Sequence, residues 1–356
     1  MKAYTAIGLM SGSSLDGLDL VLVRLIDDAG RYRYTILDAM TKAYPESWRE
    51  RLASAFQRHP EALTSLDKDY GDYLGQCVLE FIQRTGVRPD FVASHGHTIF
   101  HQPERRYTLQ VGDGSAIANR CGLLTVNDFR SEDVRKGGQG APLVPIGDRL
   151  LFGEYEICLN IGGIANLSYE VEGQRIAYDI CIANQGLNWI AQREGMSYDK
   201  DGEMARSGKV NVPLLEALND NAYFRQEPPK SLGREFFEAC QRRMLDSDTS
   251  ANLLATFTEH IALQVAQAVN GRPQGKLLAT GGGALNTYLI ERIQQHTRHQ
   301  VIVPDRQTVD YKEALIFALL GMLRLEGQTN VLASVTGAPS DSCSGVIWKP
   351  DKQNQQ

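Results

Sequence analysis

The stretch Ile7-Gly-Leu-Met-Ser-Gly-Ser-Ser-Leu-Asp-Gly-Leu-Asp-Leu-Val-Leu-Val-Arg24 places short apolar runs on either side of a turn built from Gly, Ser and Asp. That pattern predicts a β-hairpin whose tip is made of small residues. A second copy runs Ile157-Cys-Leu-Asn-Ile-Gly-Gly-Ile-Ala-Asn-Leu-Ser-Tyr169, again strand, small-residue turn, strand. The identity between the copies is too weak to prove duplication, yet similar hairpins opening each half predict two like-folded halves.

Length and charge are consistent with this. At roughly 100–200 residues per domain, a chain of 356 residues suggests two domains. Expected bounds are 1–150 plus about 335–356 for the first domain, and 151–334 for the second. Lys and Arg number 37 against 43 Asp and Glu, a net charge of −6, so no basic excess exists to neutralise a nucleic-acid backbone. No stretch reaches the ~18 unbroken apolar residues of a membrane span, and Asp16 and Asp19 come too early for a signal peptide. The six cysteines form no Cys-x-x-Cys pair, which suits a reducing, cytoplasmic location better than a zinc site or a disulfide scaffold.

Behind each hairpin, β and α signals alternate. Tyr34 to Lys42 reads as a strand, Glu61 to Arg84 as a helix, and Phe91 to Ser94 and Leu123 to Val126 as short buried strands. In the second half Arg175 to Asp179 is a strand, Asn252 to Asn270 a long helix, and Leu277 to Thr280 and Val301 to Val303 further strands. Lys312 to Leu325 is a late helix. The alternation argues for α/β halves with mixed sheets. Arg135 to Pro145, with three glycines and two prolines, is the best linker candidate.

Three glycine-rich turns follow strands: Gly12-Ser13-Ser14, Gly162-Gly163 and Gly281-Gly282-Gly283. Successive backbone N–H groups with no Cβ in the way suit phosphate oxygens, and three such turns in two like halves point to a nucleotide in a cleft. Neither the P-loop nor the dinucleotide glycine spacing occurs. Asp16 and Asp19 lie beside the first turn and could hold Mg²⁺ directly or through water, although Asp16-Gly17 is also an ordinary turn pair. Asp179 closes its strand before a helical run from Gly186 to Arg193, which leaves open a general base at the sheet edge or a helix N-cap. His95, His97 and His101 could ligate a metal in pairs, but no Cys or carboxylate pair completes such a site, and a polar loop lining a substrate pocket fits better. Asp199-Lys-Asp201-Gly202 lacks the remaining calcium-loop ligands and reads as a turn.

Taken together, these segments resemble the anhydro-N-acetylmuramic acid kinase family, bacterial enzymes of the actin/hexokinase-like ATPase superfamily. The resemblance runs from Ile7 to about Trp348. It rests on Gly8 to Asp19, on Ser94-His-Gly-His-Thr-Ile-Phe-His101, and on Gln110-Val-Gly-Asp-Gly114. Further matches are Asn127-Asp-Phe-Arg-Ser-Glu-Asp133 running on to Gly137-Gly-Gln-Gly-Ala-Pro142, and Leu159 to Asn166. Pro228-Pro-Lys-Ser-Leu-Gly-Arg-Glu-Phe236, Gly281-Gly-Gly-Ala-Leu-Asn286 and Val335-Thr-Gly-Ala338 complete the set.

The resemblance implies a two-domain, ribonuclease H-like α/β fold with a central nucleotide cleft. It also implies ATP-dependent conversion of 1,6-anhydro-N-acetylmuramic acid and water to N-acetylmuramic acid 6-phosphate in peptidoglycan recycling, with Mg²⁺, and a homodimer. The ATP-binding stretch maps onto Gly12, Ser13, Ser14, Leu15, Asp16, Gly17, Leu18 and Asp19. The catalytic carboxylate maps onto Asp179, a sugar-contacting arginine onto Arg130, and a late carboxylate onto Glu313; His97 is a further substrate-side candidate. Three positions depart from the family's pattern. Ser13 stands for a threonine, His97 for a common glutamine, and Ile180-Cys-Ile-Ala-Asn184 replaces Thr-Gly-Pro after the catalytic aspartate, which bears on the sugar preference. Two other readings therefore stand beside this one: a kinase of a related anhydro or simple sugar, and a non-catalytic ATP-binding regulator. Assaying ATP turnover with several sugars separates the three.

Overall fold

A computed structural model describes residues 1–12, 15–246 and 248–351. They form two compact units, Met1–Leu151 with Tyr311–Gln356, and Phe152–Asp310. The chain thus rejoins the first unit at Tyr311, well before the expected position near 335. The reason is the helix Arg306–Leu325, whose apolar residues from Ala314 to Leu320 are all buried. It lies so close to the first strand that a Cβ at Gly8 would stand 1.9 Å from the Ala314 carbonyl oxygen. Only glycine permits that approach.

The first unit opens with the hairpin expected from its sequence, β1 (Lys2–Ser11) and β2 (Gly17–Asp28), continued by β3 (Arg31–Ala43). The strand β4 (Phe91–Ser94), the small hairpin β5 (His97–Gln102) and β6 (Tyr107–Val111), and β7 (Leu124–Asn127) follow. The last strand of the chain, Val346–Trp348, completes a six-stranded sheet at its β7 edge. β1 lies inside it, antiparallel to β2 and parallel to β4, with β7 parallel beyond β4. The helix Pro60–Thr85 begins with Pro at its first position and ends on Gly86 in the left-handed conformation. It buries Leu66, Tyr70, Leu74, Val78 and Phe81 against Ile7, Leu9, Leu20 and Val92 of the sheet.

The second unit repeats the plan with β8 (Ile157–Ile161), β9 (Ile164–Val171), β10 (Gln174–Ile182), β11 (Lys276–Thr280) and β12 (Gln300–Ile302). Its order is β10-β9-β8-β11-β12, the hairpin pairs antiparallel and the β8–β11 and β11–β12 pairs parallel. In both units the opening strand therefore sits between its hairpin partner and a parallel strand. Two α/β units sharing one strand order are what the resemblance leads one to expect. The helix Ser250–Val269, capped by the Thr249 hydroxyl, packs Leu253, Phe257, Ile261 and Val265 onto this sheet.

The glycine-rich stretch from Arg135 to Pro145 is not a linker. It lies inside the first unit, and the boundary falls at Leu151. Its backbone is tied down: Gly140 N–H donates to Asp133 Oδ2 (2.7 Å), and Gln139 N–H donates to the Thr336 carbonyl (2.8 Å). The Thr336 hydroxyl donates to the other Asp133 oxygen (2.8 Å). Asp133 is 1% exposed, so the glycines fold around a buried acceptor rather than bridging two bodies.

Candidate active site

In open α/β sheets, ligands gather outside the carboxyl ends of the parallel strands. In the first unit, Gly12 follows β1, His95 and His97 follow β4, and Arg130 follows β7, so all four stand at that edge. Leu15 N–H donates to the Gly12 carbonyl (3.3 Å). Ser13 and Ser14 lie outside the described residues. Asp16 is exposed. Gly17 and Leu18 are already strand residues, paired with Ala43 and Lys42, and the Leu18 side chain is in the core. Asp19 projects to the opposite face, where Thr41 Oγ1 donates to its Oδ1 (2.6 Å).

Arg130 Nε and Nη2 reach His95 Nε2 at 3.1 and 2.9 Å, and its Nη1 donates to the Gly140 carbonyl (2.6 Å). Burial lowers the Arg130 guanidinium to about 10, with the charge of Glu313 pulling against it. His95 falls well below the usual histidine range, first by burial and then by the Arg130 charge. It is therefore a neutral acceptor for Arg130. Glu313 keeps an exposed side chain in crowded surroundings. Loss of hydration pushes its carboxyl up, opposed by Arg130 and Lys312. Lys312 itself is buried in an ion pair with Asp148 (2.7 Å).

The three histidines do not converge. His95 faces Arg130, His97 Nδ1 meets Ser11 Oγ (2.9 Å), and His101 Nδ1 meets Thr108 Oγ1 (3.1 Å). Among the described residues, no group of three His, Cys, Asp or Glu side chains could hold a metal ion. A cation that arrives with most of its ligands, as Mg²⁺ does on phosphate groups, needs no such cluster.

In the second unit, Gly162 and Gly163 form the turn between β8 and β9. Their carbonyls accept from the amides of Ala183, Asn184 and Gln185, which lead into the helix Asn184–Gln192. Gly281 follows β11 with φ +78°, and a Cβ there would meet Asn160 Oδ1 at 2.6 Å. A Cβ on Gly283 would strike Ile161 Cγ2 at 2.3 Å, whereas one on Gly282 has only Asn184 Nδ2 near it, at 3.8 Å. Gly282 thus borders open space while its neighbours are packed.

Asp179 lies within β10 at an irregularity between Asp179 and Cys181 in the pairing with β9. Such bulges re-aim side chains next to active sites. The helix N-cap alternative fails: the helix starts at Asn184, its cap residue is Ala183, and no side chain caps it. Asp179 is instead held by the loop 223–232. Leu232 N–H donates to its Oδ2 (2.9 Å), Tyr223 Oη–H to its carbonyl (2.6 Å), and its own N–H to the Lys230 carbonyl (3.3 Å). Burial raises the Asp179 carboxyl above the ordinary aspartate value, and the Leu232 N–H works against it.

The anhydro-N-acetylmuramic acid kinase family matches residues 4–350. Anhydro-N-acetylmuramic acid kinase of Vibrio cholerae is 38% identical over 368 residues, covering 97% of this chain and 98% of the relative. That of Saccharophagus degradans is 36% identical, covering 98% and 100%. The chain belongs to the anhydro-N-acetylmuramic acid kinase family. Among solved structures, the activator of the 2-hydroxyisocaproyl-CoA dehydratase from Clostridium difficile, with bound ADPNP, has a TM-score of 0.43 at 14% identity, over 89% of this chain and 93% of that one.

The motif Pro228 to Phe236 has no chemistry of its own that marks a role. The fold gives it one, since Lys230 and Leu232 clamp Asp179. Periodicity could not have found this, because the clamp joins positions far apart in the chain. The departure at Ile180 to Asn184 is also resolved in physical terms. Ile180, Cys181, Ile182 and Ala183 are all core residues at 3% exposure or less, and Asn184 Nδ2 donates to the Ile161 carbonyl (3.2 Å). The segment packs the second unit.

Proposed function

We propose that the chain phosphorylates 1,6-anhydro-N-acetylmuramic acid with ATP while opening its anhydro ring, giving N-acetylmuramic acid 6-phosphate, and that Asp179 is the general base. The observation that carries the reading is Asp179 itself: a residue whose backbone is held by two hydrogen bonds and whose carboxylate is held by a third, at a strand irregularity, with a pKa raised by burial. A base poised above the ordinary carboxylate range removes a proton more readily than an exposed aspartate.

In this reading Asp179 takes the proton of a water as its oxygen bonds to C1 of the sugar. The C1–O6 bond breaks, and O6 accepts the γ-phosphoryl group of ATP, leaving ADP. Ordinary glycoside hydrolysis requires a second carboxyl group to protonate the departing oxygen. Here phosphoryl transfer replaces that proton, which accounts for a single catalytic carboxylate. Arg130, Glu313 and His97 would bind the sugar. The amides around Gly12, Gly162 and Gly163 would meet the phosphates, and Gly281 to Gly283 the adenosine. Asp16 and Asp19 would hold Mg²⁺, which supplies charge neutralisation on the phosphates when bound.

The buried character of Ile180 to Ala183 favours this substrate over a related sugar, because the replaced segment contributes side chains to the core. We further propose a cytoplasmic homodimer. All six cysteines are free, and among the described residues no helix is long and apolar enough to cross a membrane. The decisive experiment is a phosphate-transfer assay with ATP and Mg²⁺ on the anhydro sugar and on its ring-opened form. Turnover of the anhydro sugar with incorporation of ¹⁸O from labelled water at C1 is expected. Phosphorylation of the ring-opened form alone would overturn the reading.

A further inference from the structure

Next to the Gly12 turn, four buried polar side chains form a single file. Tyr70 Oη lies 2.5 Å from Tyr44 Oη, Tyr44 Oη donates to Ser11 Oγ (2.7 Å), and Ser11 Oγ lies 2.9 Å from His97 Nδ1. None is more than 5% exposed. The file links the helix Pro60–Thr85, the residue after β3, the end of β1 and the start of β5.

Donation running from Tyr70 through Tyr44 and Ser11 toward His97 satisfies every hydroxyl along this file. Tyr70 is fully buried; Tyr44 Oη meets its hydroxyl in hydrogen-bond geometry, and Ser11 is a weaker neighbour that also bears on it. Its proton goes to Tyr44, because a buried donor left without an acceptor costs about 1–3 kcal/mol. Tyr44 then spends its own proton on Ser11, and Ser11 spends its one proton on His97 Nδ1. The reverse order leaves the Tyr70 proton without the Tyr44 acceptor. His97 receives a hydrogen bond at Nδ1, so its own proton sits on Nε2.

We infer that Tyr70, Tyr44 and Ser11 are positioning residues that lock His97 in the neutral Nε2–H tautomer, making it a fixed hydrogen-bond donor to an acceptor oxygen of the sugar. The sugar assignment rests on the proposed function; the tautomer does not. Burial lowers the His97 pKa to about 4, which keeps the ring neutral in the working range. No partner for Nε2 is present among the described residues, and His97 stands at the strand edge that also carries His95 and Arg130. A donor locked in this way favours acceptor-only oxygens, such as ring ethers, amide carbonyls and carboxylates, over hydroxyl donors.

The test combines spectroscopy with kinetics on the full chain. Selective ¹⁵N-histidine labelling, with the His97 signals assigned by their loss in His97→Gln, should show an Nε2–H ring whose Nδ1 is an acceptor. In Ser11→Ala the two nitrogen shifts should move toward a tautomer mixture. Tyr44→Phe keeps the ring and removes the hydroxyl. It should raise the sugar KM by about three- to tenfold, the weight of one hydrogen bond, with the ATP KM held within about twofold. His97→Leu should lose more sugar affinity than His97→Gln, whose amide still donates. An Nδ1–H ring in the parent protein, shifts unmoved by Ser11→Ala, or an equal loss in His97→Gln and His97→Leu would overturn the inference. If the parent turned over no sugar, the proposed function would fall while the ¹⁵N spectra still decided the tautomer.

Discussion

Leu232 N–H donates to Asp179 Oδ2 at 2.9 Å across a separation of 53 residues. The bond fixes one carboxylate oxygen, and because it favours the charged form it limits how far burial can raise the pKa. A base needs both conditions, since a freely hydrated aspartate is too weak a base and an unassisted buried one would stay protonated.

Replacing Asp179 with Asn therefore separates catalysis from folding. Steady-state assays should show turnover reduced by about 10²–10⁴, the usual cost of losing a general base. Because the folded-state pKa is raised, the native protein holds this proton more tightly than the unfolded chain does. The group's contribution to stability thus falls as pH rises from the ordinary aspartate value through the raised one. At neutral pH the Asn variant should melt at the parent temperature or above it. Near-parental turnover would move the base elsewhere.

The pH–rate profile should follow the same group. Turnover should fall with a single-proton slope on the acid side, at a pH above the ordinary aspartate value, because only ionised Asp179 accepts a proton. The sugar KM should show no inflection near 6.5, the ordinary histidine value. His95 and His97 are both held neutral by burial, the latter at about 4. An inflection at 6.5 that disappears in His97→Gln would contradict this.

Adjacent glycines should fail differently. Gly282→Val projects into open space and should give a folded protein with weakened ATP binding, read by calorimetric titration. Gly283→Val drives a side chain into Ile161 and should lower the melting temperature instead. Equal ATP affinity in parent and folded Gly282→Val would remove this turn from the nucleotide site.

Asp133→Ala should destabilise the first unit. It leaves the Gly140 N–H without its buried acceptor, at about 1–3 kcal/mol, while the Thr336 hydroxyl falls back on the Leu332 carbonyl. A urea midpoint unchanged from the parent would show that the loop does not depend on this carboxylate.

The residues that announced themselves in the sequence did so through local chemistry. The hairpins at Ile7 and Ile157 were legible because apolar runs flank small-residue turns, and both appear, as β1–β2 and β8–β9. The helix expected at Glu61 to Arg84 spans Pro60–Thr85, since its apolar spacing and flanking Pro60 and Gly86 agree. The hairpin β5–β6 was not legible, because its residues are mostly half-buried and its alternation is interrupted between Thr98 and Phe100. The stretch from Arg135 to Pro145 was misread because glycine and proline content cannot distinguish a free segment from one wound around a buried carboxylate. Asp179 stood out because it was expected to close its strand, whereas β10 runs on to Ile182, and its clamp and the file behind His97 depend on contacts between distant segments. Asp199 was rightly a turn residue, and its carboxylate caps the amides of Met204 and Ala205.

The contact between Gly8 and Ala314 has a consequence for anyone who would redesign this protein. The helix bearing Lys312 and Glu313 rests on β1 backbone against backbone, with no side chain between them as a spacer. A single methyl group at position 8 would act as a shim, lifting that helix and carrying the Glu313 carboxylate away from Arg130. Position 8 touches no substrate group in the proposed scheme, yet it sets the datum from which one of them is measured. Libraries aimed at a new sugar should hold it constant while they vary the residues that face the ligand.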